Sequence, residues 1–169
     1  MRPTTLAAAM LPEFDQEMGV TRRLLERLPA GKSDWKPHEK SMTLGQLAGH
    51  VAQLPNFIRI AAETSEFDLA TGGLQPFIAT SAEETVSAFD RNIASARAAL
   101  EGISDEAMLE PWALLRHGRE LFKMPRAAVL RGIAMNHIIH HRGQLSVYLR
   151  LTGAPVPSIY GPSADEPIV

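Results

Sequence analysis

The sequence predicts an all-α domain, a four-helix bundle with a short β-hairpin before its last long helix. Four segments carry apolar residues at helical spacings of three and four, loops separate these segments, and the chain contains no internal repeat. At 169 residues the chain is long enough to bury roughly two-thirds of its unfolded surface in a single core. We therefore expect residues 1–169 to form one domain.

The first two predicted helices are amphipathic. The first ends at Pro29 and Gly31, and its inward face consists of Leu11, Phe14, Met18, Thr21, Leu25 and Leu28. Thr43 begins the second helix, because Gln46 lies three residues later and completes a capping box. The apolar stripe of this second helix consists of Leu44, Leu47, Val51, Leu54, Ile58 and Ala61. His50 borders the stripe, so we expect its ring to reach the core.

A loop and a third helix follow. The stretch from Asp68 to Pro76 contains Gly72-Gly73 and is predicted to be a loop. Thr80 or Ser81 then begins a helix that ends at Gly102. Its inward face consists of Val86, Phe89, Ile93, Ala96 and Leu100.

The last third of the chain contains a predicted hairpin, the longest helical pattern and a tail. Residues 112–124 alternate between apolar and polar with Gly118 at a turn, which indicates a β-hairpin. Pro125 begins a helical segment that reaches about Thr152, and Gly153 closes it. The tail, residues 154–166, is too rich in proline for regular structure, so we expect it to lie as a strap over the bundle or over a neighbouring molecule.

Three of the six histidines lie close together in the last helical segment. His137 and His141 are four residues apart, and four residues of α-helix turn about 400°, so both rings project from one face. They interrupt a ridge of apolar residues and are expected to point into the core as a pair of metal ligands. His140 lies on a more polar ridge. A third ligand must come from elsewhere, and His50 is our candidate.

Other polar residues have a structural and a functional interpretation. Gln144 can orient a ligand or a bound water, or can make a helix–helix hydrogen bond. Tyr148 can donate a proton or pack in the core. Arg142 can pair with a carboxylate of another helix or with an anionic substrate. Asp15 and Glu17 can move protons at the site only if the first helix faces it.

Composition excludes several classes of protein. The chain has no cysteine, so disulfides, Cys-ligated zinc, iron–sulfur clusters and a Cys nucleophile are excluded. A net charge of -2 without any Lys/Arg run disfavours binding to nucleic acid. The N-terminal residues Met1–Pro12 make a poor signal peptide, and no apolar stretch approaches the length of a membrane span, roughly 18 residues. We therefore expect a cytoplasmic protein that does not enter a membrane.

Several short motifs together resemble one known family. They are Trp35-Lys36-Pro37, Ser41–His50, Asn136–Leu145, and the tail from Gly153-Ala154-Pro155-Val156-Pro157 to Tyr160-Gly161-Pro162-Ser163. Each motif is weak alone, but the combination covers essentially the whole chain and resembles the DinB-like family of bacterial helical-bundle metalloenzymes. The resemblance implies a four-helix bundle that commonly forms a homodimer.

The resemblance also implies a divalent-metal site at His50, His137 and His141. Three nitrogen ligands suit Ni, Zn or Fe(II), and the affinity order of these metals does not select among them. Some members of the family transfer groups or isomerise substrates with a low-molecular-weight thiol as cofactor. This implies a transferase that acts on a small electrophilic substrate, although the same parts also suit a hydrolase. The alternative is a stress-response module that binds a metal or a ligand without catalysis.

Overall fold

The computed structural model describes residues 5–167. The bundle consists of α1 (Leu6–Leu25), α2 (Leu44–Glu63), α3 (Ala82–Gly102), a short α4 (Asp105–Leu109), and a last helical segment made of α5 (Arg126–Ala128), a π-helical stretch (Val129–Met135) and α6 (Asn136–Leu151). A small sheet contains β1 (Glu66–Asp68), β2 (Pro111–Arg116) and β3 (Arg119–Pro125). The predicted four-helix bundle is confirmed, with this sheet added to one end of it. No helix among residues 5–167 has both the length and the apolar character that crossing a membrane requires.

Helix α2 packs against α3, α6 and the π-helical stretch. Its predicted stripe is buried at every position. The predicted start is also confirmed. The Thr43 hydroxyl accepts from the backbone N–H of Gln46, and the Gln46 side-chain oxygen accepts from the backbone N–H of Thr43 at 2.8 Å. His50 is therefore carried by a helix whose register is fixed at its N-terminus and along its length.

The first helix differs from its prediction at both ends. It begins at Leu6, before the first residue of the predicted inward face, Leu11, because the Thr5 hydroxyl accepts from the Ala8 N–H and caps it there. It ends at Leu25 rather than Leu28, although Leu28 still packs against the core. The first four residues of the segment that makes a poor signal peptide lie outside the described residues, and the part from Leu6 onwards belongs to α1.

The predicted hairpin is confirmed. Its turn residues His117 and Gly118 both have positive φ, 51° and 73°, as a two-residue hairpin turn requires. The predicted loop from Asp68 was wrong at its first residue, because Asp68 ends β1, which pairs in parallel with β2. The Asp68 carboxylate accepts from the backbone N–H groups of His117 and Gly118, at 3.1 and 2.7 Å. A three-residue strand carries no periodicity that a sequence could reveal.

The last helical segment is not uniformly α-helical. Residues Val129–Met135 form π-helical turns immediately before the histidines. The carbonyl of Gly132 accepts from the side-chain amide of Asn136 at 3.0 Å, whereas the backbone N–H of Asn136 donates to Ile133. The prediction of one apolar ridge with α-helical spacing through the whole segment was therefore wrong. The α-helical spacing holds only from Asn136 onwards.

The tail lies over the chain's own bundle, which is one of the two predicted arrangements. Asp165 accepts from Arg150 at 2.6 Å, and the Tyr160 hydroxyl accepts from Arg142 at 2.7 Å and donates to Glu17 at 2.8 Å. Arg142 is only 1% exposed, and its guanidinium lies 2.5 Å from the Glu17 carboxylate. This buried ion pair joins α6 to α1 and confirms the structural interpretation of Arg142.

Candidate metal centre

Three histidines converge between two helices, His50 of α2 and His137 and His141 of α6. Their ligating nitrogens all lie within 4.8 Å of one another, and the Nε2 atoms of His50 and His137 are 3.3 Å apart. The ring centroids of His50 and His141 are 4.6 Å apart, and those of His137 and His141 are 4.7 Å apart. The structure therefore brings together the three residues that the sequence selected. The expectation that the imidazoles enter the packed core was wrong, because all three are half-buried at its edge.

The surroundings keep all three rings neutral. Burial, together with the neighbouring rings of His141, His50 and His140, lowers the pKa of His137 from 6.5 to about 4. Burial is also the main reason that the pKa values of His50 and His141 are lowered. A neutral imidazole keeps a nitrogen lone pair available to a cation, whereas an imidazolium does not. At neutral pH the cluster is thus ready to bind a metal without first losing protons.

A hydrogen bond orients His141. Its Nδ1 lies 2.7 Å from Oε1 of Gln144, so Nδ1 carries the proton and Nε2 is left as the ligating atom. The Gln144 amide nitrogen lies 3.1 Å from Nε2 of His140. The predicted role of Gln144 in orienting a ligand is supported by this geometry. His140 is exposed and does not belong to the cluster.

The histidines open into a cavity of about 750 Å³. Apolar side chains form most of its wall, and Met42, Leu69, Leu74 and Ile78 are exposed at its mouth. Among the described residues that line this cavity there is no Asp, Glu, Lys, Arg or Tyr. The polar side chains of the lining, other than the histidines, are Gln46, Gln53 and Gln75. Any proton transfer here must therefore use a histidine, solvent or the substrate itself.

One wall of the cavity is a segment, residues 74–78, that lies directly on α2. Gln53 holds it with both ends of its amide, donating to the Gln75 carbonyl at 2.7 Å and accepting from the Phe77 N–H at 2.9 Å. At Gly49 a Cβ atom would collide with the Phe77 carbonyl oxygen, so only glycine allows this approach. The predictions missed this wall. The sequence features that could have indicated a segment packed on α2 are Gly49 and Gln53, which lie on either side of His50.

The other candidate residues lie away from the cluster. Asp15 pairs with Arg97 at 2.9 Å and Glu17 with Arg142, so the first helix brings no carboxylate to the site. Tyr148 packs against Trp35 and donates to the Met42 carbonyl at 3.1 Å, which agrees with its structural interpretation. The two remaining histidines, His38 and His117, are exposed in loops.

The donor set suits a divalent ion. Three imidazoles without a carboxylate or a thiolate leave the +2 charge of the ion uncompensated, and three protein ligands leave at least one coordination position open. All three histidines line the cavity, so a ligand in the cavity could reach an ion that they held. Structural zinc sites are instead closed by four protein ligands. The three histidines are thus placed to hold a metal ion.

Comparisons with known proteins agree with this fold. The model of the DinB family matches residues 1–167. The uncharacterized protein YrdA of Bacillus subtilis is 26% identical over 162 residues, which cover 92% of this chain and 89% of that protein. A DinB-like protein from Bacillus cereus superposes with a TM-score of 0.71 at 22% identity, over 93% of this chain and 99% of the other. The DinB-like protein YjoA of Bacillus subtilis superposes with a TM-score of 0.65 at 22% identity, over 89% and 97%.

Proposed function

Because the chain belongs to the DinB family and three of its histidines converge beside an open cavity, we propose that it is a metal-dependent transferase that joins a low-molecular-weight thiol to a small electrophile. His50, His137 and His141 are the metal ligands in this proposal. The observation that carries it is the combination of a three-imidazole cluster with a cavity that has no charged side chain in its lining.

The residues of the chain have separate tasks. The three imidazoles bind the ion, and Gln144 orients His141 through its Nδ1 atom. A divalent ion held there supplies the positive charge that lowers the pKa of a thiol or water at its open position. The positive charge is needed because, apart from the histidines that bind the ion, no described side chain in the lining can accept a proton at neutral pH. Apolar side chains form most of the wall, so an apolar electrophile can lie beside the histidines.

The proposed step balances without an additional reactant. The thiol loses its proton to solvent, and a sulfur lone pair forms an S–C bond with the electrophilic carbon. With an activated alkene, the electrons of the C=C bond move to the neighbouring carbon, which takes a proton from solvent. With an alkyl halide, the carbon–halogen bond breaks and halide leaves. Solvent reaches the cavity mouth, where Leu69 and Ile78 are exposed, so neither path needs a dedicated acid.

The test uses the full chain loaded with Zn, Ni or Fe(II) and mixed with a panel of thiols and electrophiles. The panel includes bacillithiol and mycothiol, and product is measured against metal-free protein and against reactions without thiol. We expect conjugation above background, lost in His50→Ala and retained in His38→Ala, which removes an exposed loop histidine. Conjugation that does not exceed the metal-free background would replace the proposal with a module that binds a metal or ligand without catalysis. Turnover in water alone would replace it with a hydrolase.

A further inference from the structure

The cavity indicates which part of the substrate it binds. We propose that it holds an uncharged, largely apolar group of the electrophile, and that the segment of residues 74–78 is the wall that determines which groups fit. The catalytic meaning of this inference rests on the proposed function, but the binding itself does not. The volume of about 750 Å³ lies within the range of roughly 300–1,000 Å³ that small-molecule sites occupy.

In the metal-free protein a charged ligand is disfavoured in the cavity, because no charged side chain in its described lining would compensate it. Carboxylates, ammonium groups and guanidinium groups are absent from that lining. A charged group that leaves water without an opposite charge or a full set of hydrogen bonds loses several kcal/mol of solvation. The anionic parts of a thiol cofactor would therefore lie at the ion or in solvent, and the apolar part of the electrophile would lie against the apolar wall.

The polar groups of the lining are largely occupied by the protein itself. Both ends of the Gln53 amide bind the backbone of residues 75 and 77, and Oε1 of Gln46 accepts from the Thr43 N–H. Gln75 is exposed at the rim. The imidazole nitrogens are thus the main polar groups that a ligand meets inside. This polarity orients a ligand with its reacting end at the histidines and its apolar body toward Leu69 and Ile78.

The wall is built into the fold and does not depend on a ligand. Gly45, Gly49 and Gln53 are spaced by four residues and share one face of α2, along which residues 75–79 run. The Ala79 N–H donates to the Gly45 carbonyl at 2.9 Å, and the Gln53 amide holds the other end of the segment. The cavity should therefore exist in the metal-free protein.

The experiment uses two fluorescent probes with one ring system. N-phenylnaphthylamine is uncharged, and anilinonaphthalene sulfonate carries one negative charge. Each is titrated into metal-free, full-length protein, and the dissociation constant is measured. We expect the uncharged probe to bind at about one per chain, and at least about fivefold more tightly than the anionic probe, because the cavity offers no partner for the sulfonate.

Matched variants locate the bound probe. Ile78→Glu and Leu69→Glu place a carboxylate at the mouth, and Leu121→Glu places one on β3, outside the lining; the three native side chains are 51%, 52% and 51% exposed. We expect the first two changes to weaken binding of the uncharged probe by about fivefold or more, and Leu121→Glu to leave it unchanged. Equal or tighter binding of the anionic probe, or equal loss in all three variants, would overturn the inference.

These outcomes are independent of the proposed function. Selective binding of the uncharged probe without any conjugation activity would reject the transferase and keep the inference. Conjugation activity in a protein that binds neither probe in the cavity would reject the inference and keep the transferase.

Discussion

Among the three clustered histidines, His141 makes a hydrogen bond to a residue outside the cluster. Its Nδ1 is 2.7 Å from Gln144, and this contact fixes which nitrogen faces the cluster. We predict that Gln144→Leu weakens metal binding by about tenfold, because partners of this kind contribute about 10- to 100-fold to affinity. A competition titration with a chromogenic chelator measures the change.

The matched control for that change is Gln144→Glu. A carboxylate of nearly the same shape still accepts from Nδ1 and makes the ring a stronger base, so binding should be retained or improved. Equal weakening in Gln144→Leu and Gln144→Glu would show that Gln144 acts through helix packing and not through the ring.

The neutral state of the cluster has a consequence for the pH dependence of folding. The folded-state pKa of His137, about 4, lies below its ordinary value of 6.5. Between these values the unfolded chain binds more protons, so the free energy of unfolding falls as the pH drops from about 6.5 toward 4 and is at its full value above 6.5. Since solvent reaches the half-buried ring, we expect about 1–2 kcal/mol from this residue.

Urea unfolding of chelator-treated protein at several pH values measures this effect. His137→Gln serves as the comparison, because the difference between the two proteins removes the contribution of carboxylates elsewhere. A weaker acid dependence should remain in the variant, since the pKa values of His50 and His141 are lowered as well. Identical pH dependence in both proteins would contradict the account.

The clustering of the histidines was predictable in part for a geometric reason. The four-residue spacing of His137 and His141 places two rings on one helical face whatever the rest of the fold is. His50 was identified from its position beside an apolar stripe and from the family resemblance, since no spacing links it to α6. The depth of the rings was not predictable, because it depends on a cavity that residues 74–78 create from a distant part of the chain.

Among the elements, α2 and the segment beside it depend on a glycine. We predict that Gly49→Ala lowers the free energy of unfolding by about 1–3 kcal/mol and weakens binding of the uncharged probe, because the new methyl group would displace the Phe77 carbonyl. Denaturant unfolding measures the first effect, and the probe titration measures the second.

Gly19→Ala is the control for this change. Gly19 is exposed in α1, and a Cβ there meets nothing within 4 Å. Alanine is the better helix former, so this variant should be more stable by about 0.5–1 kcal/mol and should bind the probe normally. If Gly49→Ala were as stable as Gly19→Ala, the close contact between α2 and residues 74–78 would not exist as described.

Elements with long periodic patterns were predicted, and those defined by tertiary contacts were not. The buried stripe of α2 and the capping box at Thr43 are local features, so the sequence contains all the information they need. Strand β1 pairs with β2, and at the end of the π-helical stretch the Asn136 side chain donates to the Gly132 carbonyl. Neither leaves a periodic signal.

The homodimer stays a prediction. The homodimer is implied by the family resemblance, and the tail, which was its second motivation, contacts α1 and α6 of its own chain. We predict a particle of twice the 18.5 kDa chain mass by light scattering at micromolar concentration. A single 18.5 kDa species under these conditions would contradict the dimer and leave the metal site untouched, because all three ligands come from one chain.

Metal occupancy tests the central claim most directly. Protein purified without an affinity tag is stripped with a chelator and then dialysed against a small molar excess of Zn, Ni or Fe(II). The amount of bound metal per chain is then measured. We predict about one ion per chain in the wild type and in His140→Ala, whose ring lies outside the cluster, and loss of most of the metal in His137→Ala with unchanged helical content. Undiminished metal in His137→Ala would contradict the assignment of His50, His137 and His141 as the binding site.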